Sequence, residues 1–158
     1  MLVVADTSAL VALAACNGLG LLDALFDQVR VPRAVWGECS VEGKPFAAQL
    51  AEYLRARVVD VTPAENPVGA SALGRGEIEA MALYRSLGAD RLLVDDDRAR
   101  RVARLNGLNV VGSIGILLGA KAEGMVTSIK PYLEQVQSAG VHLGKGLLDE
   151  ALRLAGEA

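Results

Sequence analysis

Two apolar runs in this chain end in acid. The segment VVADTSAL closes a β-branched run with Asp6, and LLVDDDRARR closes another with Asp95, Asp96 and Asp97. Two further segments add carboxylates: GRGEIEAMALY carries Glu77 and Glu79 in the opening turn of a helical pattern, and AVWGEC carries Glu38. Each acid has an ordinary explanation, since Asp at a strand end makes a good helix N-cap and the macrodipole favours acids in a first helical turn. One cap needs only one carboxylate, however. Three consecutive aspartates add like-charge repulsion, which Arg98 or Arg100 offsets by ion pairing or a divalent cation offsets by ligation. Carboxylate oxygens are the natural ligands of Mg²⁺ and Mn²⁺.

Other chemistries lack their parts. His142 is the sole histidine and lies in a Gly-rich segment far along the chain from the acids, so Ser/His and Cys/His arrangements have no base. Cys16 and Cys39 show no CxxC spacing and read as reduced, buried thiols. No GxxxxGK[ST] or GxGxxG segment occurs, and GRGE has too few glycines to cradle a phosphate. Carboxylates and metal are what is left. A net charge of −3 and a pI near 5.2 do not advertise nucleic-acid binding by the whole molecule, so such a partner requires a local patch. The densest is RARRVARL, where Arg98, Arg101 and Arg104 recur at helical spacing with Arg100 off that row; Arg75 stands beside the acidic helix.

The elements that must position these residues alternate. Short β-branched runs at Leu2–Ala5, Val29–Val31, Arg57–Val61, Arg91–Val94 and Asn109–Val111 read as buried parallel strands. Helical patterns fill the gaps at Ser8–Ala15, Leu19–Phe26, Pro32–Cys39, Phe46–Arg55, Gly76–Ser86, Arg98–Asn106, Ile114–Glu123 and Ile129–Ser138. Ile78, Met81 and Ala82 mark the buried face of the acidic helix. Pro32 suits a first helical turn, Gly88 and Gly107 suit left-handed C-caps, and Pro63 with Pro67 marks a loop. The alternation predicts a three-layer α/β/α fold around a central parallel sheet of 4–5 strands. At 158 residues with 52% hydrophobic side chains, the chain is long enough for one core without staples. Residues 1–143 form the α/β unit, and 144–158 (GKGLLDEALRLAGEA) an amphipathic helix belonging to the same domain or to an interface. No apolar run reaches the ~20 residues of a membrane span, and MLVVADTS has no basic leader, so a soluble cytoplasmic protein is expected. In such a sheet ligands bind outside the strands' carboxyl ends, where Asp6 and Asp95–Asp97 fall.

The whole set resembles the PIN-domain family of metal-dependent ribonucleases, which includes toxins of prokaryotic toxin–antitoxin pairs. VVADTSAL resembles the family's opening strand with its first acid and following hydroxyl residues, Thr7 and Ser8, and VPRAVWGE resembles the element carrying Glu38. LGRGEIEAMALY and LLVDDDRARRVARLNGLNVVGSIGILLGAKAEGMV resemble a prokaryotic PIN subfamily with a GExEA helix and an LxxDDxxAR motif. The resemblance implies an acidic pocket of Asp6, Glu38, Glu77 and Asp96, with Asp95 a fifth member. Glu79 is the alternative to Glu77, and Asp97 to Asp96. It implies Mg²⁺ or Mn²⁺ held by Asp6, Glu77 and Asp96, an RNA substrate and a cognate antitoxin protein. Arg75, Arg98 and Arg101 are the candidate contacts to the RNA backbone.

Two rivals belong to other classes. One is a PIN fold without activity that serves as a protein-interaction module. The other is a phosphoryl-transfer or receiver domain, disfavoured because DxDx[TV] is absent: the residue two after Asp6 is Ser8. Finally, Met125, Val126, Ile129, Tyr132 and Leu133, with Leu147, Leu148, Leu152 and Leu154, offer more apolar surface than a small sheet needs, which predicts a homodimer, as does the resemblance.

Overall fold

The computed structural model describes residues 1–63 and 65–158. Its centre is a parallel sheet of five strands: β1 (Leu2–Ala5), β2 (Gln28–Pro32), β3 (Val58–Val59), β4 (Arg91–Leu93) and β5 (Val110–Val111), in the spatial order β3-β2-β1-β4-β5. Register is set by the pairs Val3↔Val29 and Val4↔Arg30 on one side of β1, and by Val4↔Leu92 and Ala5↔Leu93 on the other. Among the described residues the helices are α1 (Thr7–Ala15), α2 (Leu19–Leu25), α3 (Arg33–Cys39), α4 (Ala47–Leu54), α5 (Arg75–Leu87), α6 (Asp97–Leu105), α7 (Ser113–Ala122), α8 (Lys130–Ser138) and α9 (Lys145–Ala155). A 3-10 turn, Ala70–Ala72, precedes α5.

Strand pleating sorts the core onto two faces, because successive side chains point to opposite sides. Val3, Ala5, Val29, Val31 and Leu93 bury against α1, α4, α7 and α8. Val4, Leu92 and Val94 bury against Ala80, Met81 and Leu83 of α5 and Ala99, Val102 and Ala103 of α6. Both faces are covered, giving the three-layer α/β/α fold expected from the alternation. Among the described residues no single helix is long and apolar enough to cross a membrane.

Several expectations shift in detail. The third strand is two residues, not the five of Arg57–Val61; it is an edge strand, and Pro63, which has no N–H to give, lies just beyond it. Pro32 ends β2 and stands as N-cap of α3 rather than inside its first turn. Gly88 does close α5 in the left-handed conformation, at φ 62. Of the loop bracketed by Pro63 and Pro67, Ala64 lies outside the described residues. On α5 the buried residues are Gly76, Glu79, Ala80, Met81 and Leu83, so Ile78 and Ala82 flank the buried face rather than define it.

The apolar surplus near the C-terminal end is mostly consumed inside the fold. Ile129 and Leu133 are buried, and Val126, Tyr132, Leu148 and Leu152 pack against the core. Met125, Leu147 and Leu154 are what remains exposed of that set.

Candidate active site

The strand order places a topological switch between β1 and β4: the chain builds one half of the sheet outward from β1 and returns to build the other from β4. Helices after the two strands diverge there and leave a crevice at the carboxyl edge. Asp6 follows β1 and Asp95–Asp97 follow β4, so both acid segments lie at this edge of the sheet. The Asp6 backbone N–H donates to Leu93 O at 2.9 Å, which ties the two strand ends together.

Asp6 is the N-cap of α1, yet its side chain makes no cap hydrogen bond. It is 3% exposed, and its Oδ1 is buried without a hydrogen-bond partner. Burial, the Glu77 and Glu38 charges and that of Asp96 together push its carboxyl up to about 7, opposed by the Thr7 backbone N–H. The structure therefore brings Glu38, Glu77 and Asp96, from three separate elements, within electrostatic reach of Asp6.

Each neighbour is engaged by its own local donors. Glu38, exposed near the end of α3, accepts the Thr7 hydroxyl at 2.6 Å and lies against the backbone of Gly76, where a Cβ would come within 2.5 Å of its Oε1. Glu77 accepts the Gly74 N–H at 2.9 Å across the start of α5. Asp96 is the N-cap of α6 and accepts the Ala99 N–H at 2.9 Å. Asp95 accepts both the N–H of Ser113 at 2.7 Å and its hydroxyl at 2.6 Å, at the first residue of α7. Four helix N-termini, those of α1, α5, α6 and α7, thus supply partial positive charge to the acids. For the triple aspartate the offset comes from α6 and α7, whose first-turn N–H groups donate to Asp96 and Asp95.

The alternatives left open in the sequence separate by role. Glu79 is buried; its Oε1 accepts the Ala34 N–H at 3.2 Å in the first turn of α3, and its Oε2 pairs with Arg75 Nε at 2.8 Å. It fixes α3 to α5 and so positions Glu38, while Glu77 is the member of the pair that acts on Asp6. Asp97 is exposed in the first turn of α6, and the charge felt by Asp6 is that of Asp96.

Among the described residues no group of three or more Asp, Glu, His or Cys is close enough to hold a metal ion. Glu38 lines one hollow with Arg75 and Glu79, while Asp95, Asp96 and Asp97 line another. In donor chemistry the set fits a hard divalent cation: every candidate ligand is a carboxylate oxygen, and the orphaned Asp6 Oδ1 is a buried acceptor with nothing to accept.

Sequence reasoning missed three features. His142, distant along the chain, lines the same hollow as Asp95, Asp96 and Asp97. Arg100 and Arg104 line it too, whereas Arg98 and Arg101 lie on the exposed side of α6. Ser113 holds Asp95. The signal for the arginines was present in Ala99, Val102 and Ala103, whose i, i+3, i+4 spacing fixes the buried face and so the rotation of the helix.

Comparison with known proteins adds one finding: a family model described as a PIN domain matches residues 2–157. Neither the curated proteins nor the solved structures gave a match.

Proposed function

Since the chain belongs to the PIN-domain family, a nuclease-type fold, we propose that it is a Mg²⁺- or Mn²⁺-dependent endoribonuclease acting at the crevice between β1 and β4. The observation that carries this reading is Asp6, a buried carboxylate with an unpartnered oxygen and three acidic neighbours at the switch point. When bound, a divalent cation supplies an acidified water and positive charge toward the phosphate. The chain's own residues do the rest. Asp6, Glu77 and Asp96 hold the cation, and Asp95, fixed by Ser113, completes the acidic wall. Glu38, steadied by the Thr7 hydroxyl, orients the attacking water. Arg98 and Arg101 meet the RNA backbone from the exposed face of α6, and Arg75 does so from the mouth of α5 while paired with Glu79.

The PIN resemblance extends the reading to biology. In it the protein is the toxin of a toxin–antitoxin pair, acts as a homodimer in the cytoplasm, and is restrained by an antitoxin docking near the acidic edge. The helix 144–158 belongs to the nuclease domain, which its packing on α7 supports.

The test is incubation of purified protein with a mixed RNA pool, with Mn²⁺ or with EDTA, followed by mapping of the new ends. Internal cuts that need Mn²⁺ and vanish in Asp6→Asn are the expected result. Intact RNA in both arms would leave the fold as an interaction module.

A further inference from the structure

A hollow of about 880 Å³ opens beside the acidic edge, between the start of α6, the start of α7 and the 141–147 segment. That volume falls within the ~300–1,000 Å³ of ligand-sized sites. Its walls differ in chemistry. Asp96, Arg100 and Arg104 stand at i, i+4 and i+8 on one side of α6, so the acidic edge continues directly into two guanidinium groups. Much of the remaining lining is apolar, from Val110, Val111, Val141, Leu143 and Leu147, with His142 among them. Leu147 is 52% exposed.

The two arginines differ in freedom. Arg100 is half-buried, donates to Val94 O at 3.3 Å and lies against Gly112, where a Cβ would come within 2.5 Å of its Nη1. Arg104, one turn on, is exposed and has no acidic partner among the described residues. A cation left unpaired eight residues from Asp96 on the same row, in a hollow with much apolar lining, suits a ligand that is anionic at one end and flat and apolar at the other.

We propose that this hollow is a subsite for one nucleotide of the RNA strand next to the bond being cut, with Arg104 on its phosphate and the His142–Leu147 wall against its base. The proposal rests on the endoribonuclease reading. It deepens that reading by giving the acidic edge a neighbour that sets which nucleotide lies beside the cut. The lining separates its charges, Asp95–Asp97 at one end and Arg104 two turns along α6 from Asp96 without an acidic partner among the described residues, so a phosphate seats at the Arg104 end while the aspartates keep to the cutting edge. His142 and Arg104 act in binding and register, and the acidic centre does not need them for its own chemistry.

The experiment measures binding and cleavage separately. Binding of a short fluorescent single-stranded oligoribonucleotide is followed by anisotropy in EDTA at several salt concentrations, for wild type, His142→Ala, Arg104→Ala and Arg104→Lys. Both alanine variants alter exposed side chains, and unchanged melting curves certify that they fold. His142→Ala should bind roughly tenfold more weakly, as expected for a lost base contact. Arg104→Ala should lower affinity and flatten the salt dependence by about one phosphate contact, with Arg104→Lys restoring the slope. An oligoribonucleotide scanned with a single abasic position should reveal one position whose loss weakens wild type and no longer matters in His142→Ala. In Mn²⁺ the His142→Ala variant should cut with a changed nucleotide preference beside the site.

Wild-type binding and cleavage patterns retained in both alanine variants would overturn the subsite while leaving the nuclease reading intact. Binding that responds as described, in a protein that cuts no RNA with Mn²⁺, would sink the nuclease reading and with it the place of this nucleotide beside a cut, leaving the hollow as a nucleotide-binding site only. If the variants bind RNA normally but lose a peptide partner, the hollow belongs to protein docking and the proposal fails.

Discussion

Two carboxylates in this molecule are covered by the fold and end up on opposite sides of their ordinary range. Asp6, at the carboxyl edge of the sheet, is pushed up to about 7. Glu157, just beyond α9, is drawn down to about 2. The Glu157 side chain, 12% exposed, accepts the N–H groups of Ile129 at 2.9 Å and Lys130 at 3.1 Å, the Lys121 ammonium at 3.0 Å and the Ser128 hydroxyl. It caps the start of α8 and ties the end of the chain to α7. Asp6 has an oxygen with no partner and neighbours of its own sign. The same functional group is satisfied in one place and held at a cost in the other. That unrelieved cost is what singles out Asp6 as the candidate for chemistry.

The sharpest way to break this comparison is to neutralise Asp6. Its folded carboxyl is raised from 3.8 to about 7, so its contribution is fully favourable below the unfolded value and is lost as pH rises through about 7. The ionised form carries a penalty on the order of 4 kcal/mol. Metal-free Asp6→Asn should therefore melt higher than wild type at pH 8 and show no such gain near pH 4. Equal melting at both values would mean that Asp6 is an ordinary cap. Asp96→Asn should have a far smaller effect, because Asp96 is exposed and Asn caps nearly as well.

Next in size is the response to the cation itself. A ligand that binds the folded state alone stabilises it by about 2.7 kcal/mol at a hundredfold excess over Kd. Mn²⁺ should raise the melting temperature of wild type, more at pH 8 than at pH 5, where a proton competes for Asp6. A shift of the same size at both pH values would remove Asp6 from the ligand set.

Glu157→Gln inverts the Asp6 experiment. The Glu157 carboxyl is lowered from 4.5 to about 2, so its stabilisation is present above about 4.5 and lost as pH falls through 2. The variant should melt lower than wild type at pH 7, with the gap closing toward pH 2. A constant gap would assign the effect to shape rather than charge.

The smallest effect on stability is expected at Gly76. Its backbone is helical and alanine favours the helix by up to ~1 kcal/mol, but the added Cβ would meet the Glu38 carboxylate at 2.5 Å. Gly76→Ala should fold at least as well as wild type and cut RNA poorly. Melting curves beside a cleavage assay check the split; full activity would show that Glu38 need not lie where it does.

The fold was readable because buried parallel strands leave a strong mark. Runs such as LVVA and RLLV are apolar on both faces, and their carboxyl ends locate Asp6 and Asp95–Asp97 without further information. What the sequence could not resolve depended on docking between distant elements. Glu77 and Glu79 occupy the same first turn, and their roles separate only because Ala34, 45 residues before Glu79, presents its N–H to Glu79. His142 was set aside for its distance along the chain, a distance that the packing of α7, α8 and α9 closes. The arginines could not be sorted from their spacing alone, since Ala99, Val102 and Ala103 decide which flank of α6 each one takes, and of them Arg100 and Arg104 line the hollow beside the aspartates.

The most direct test of the central claim, that Asp6 is held against its electrostatic preference to receive a divalent cation, is a calorimetric titration of Mn²⁺ into metal-free protein at pH 8. Wild type should show a saturable site, and Asp6→Asn, folded and thermally more stable, should show none. Indistinguishable heats from the two proteins would contradict the account.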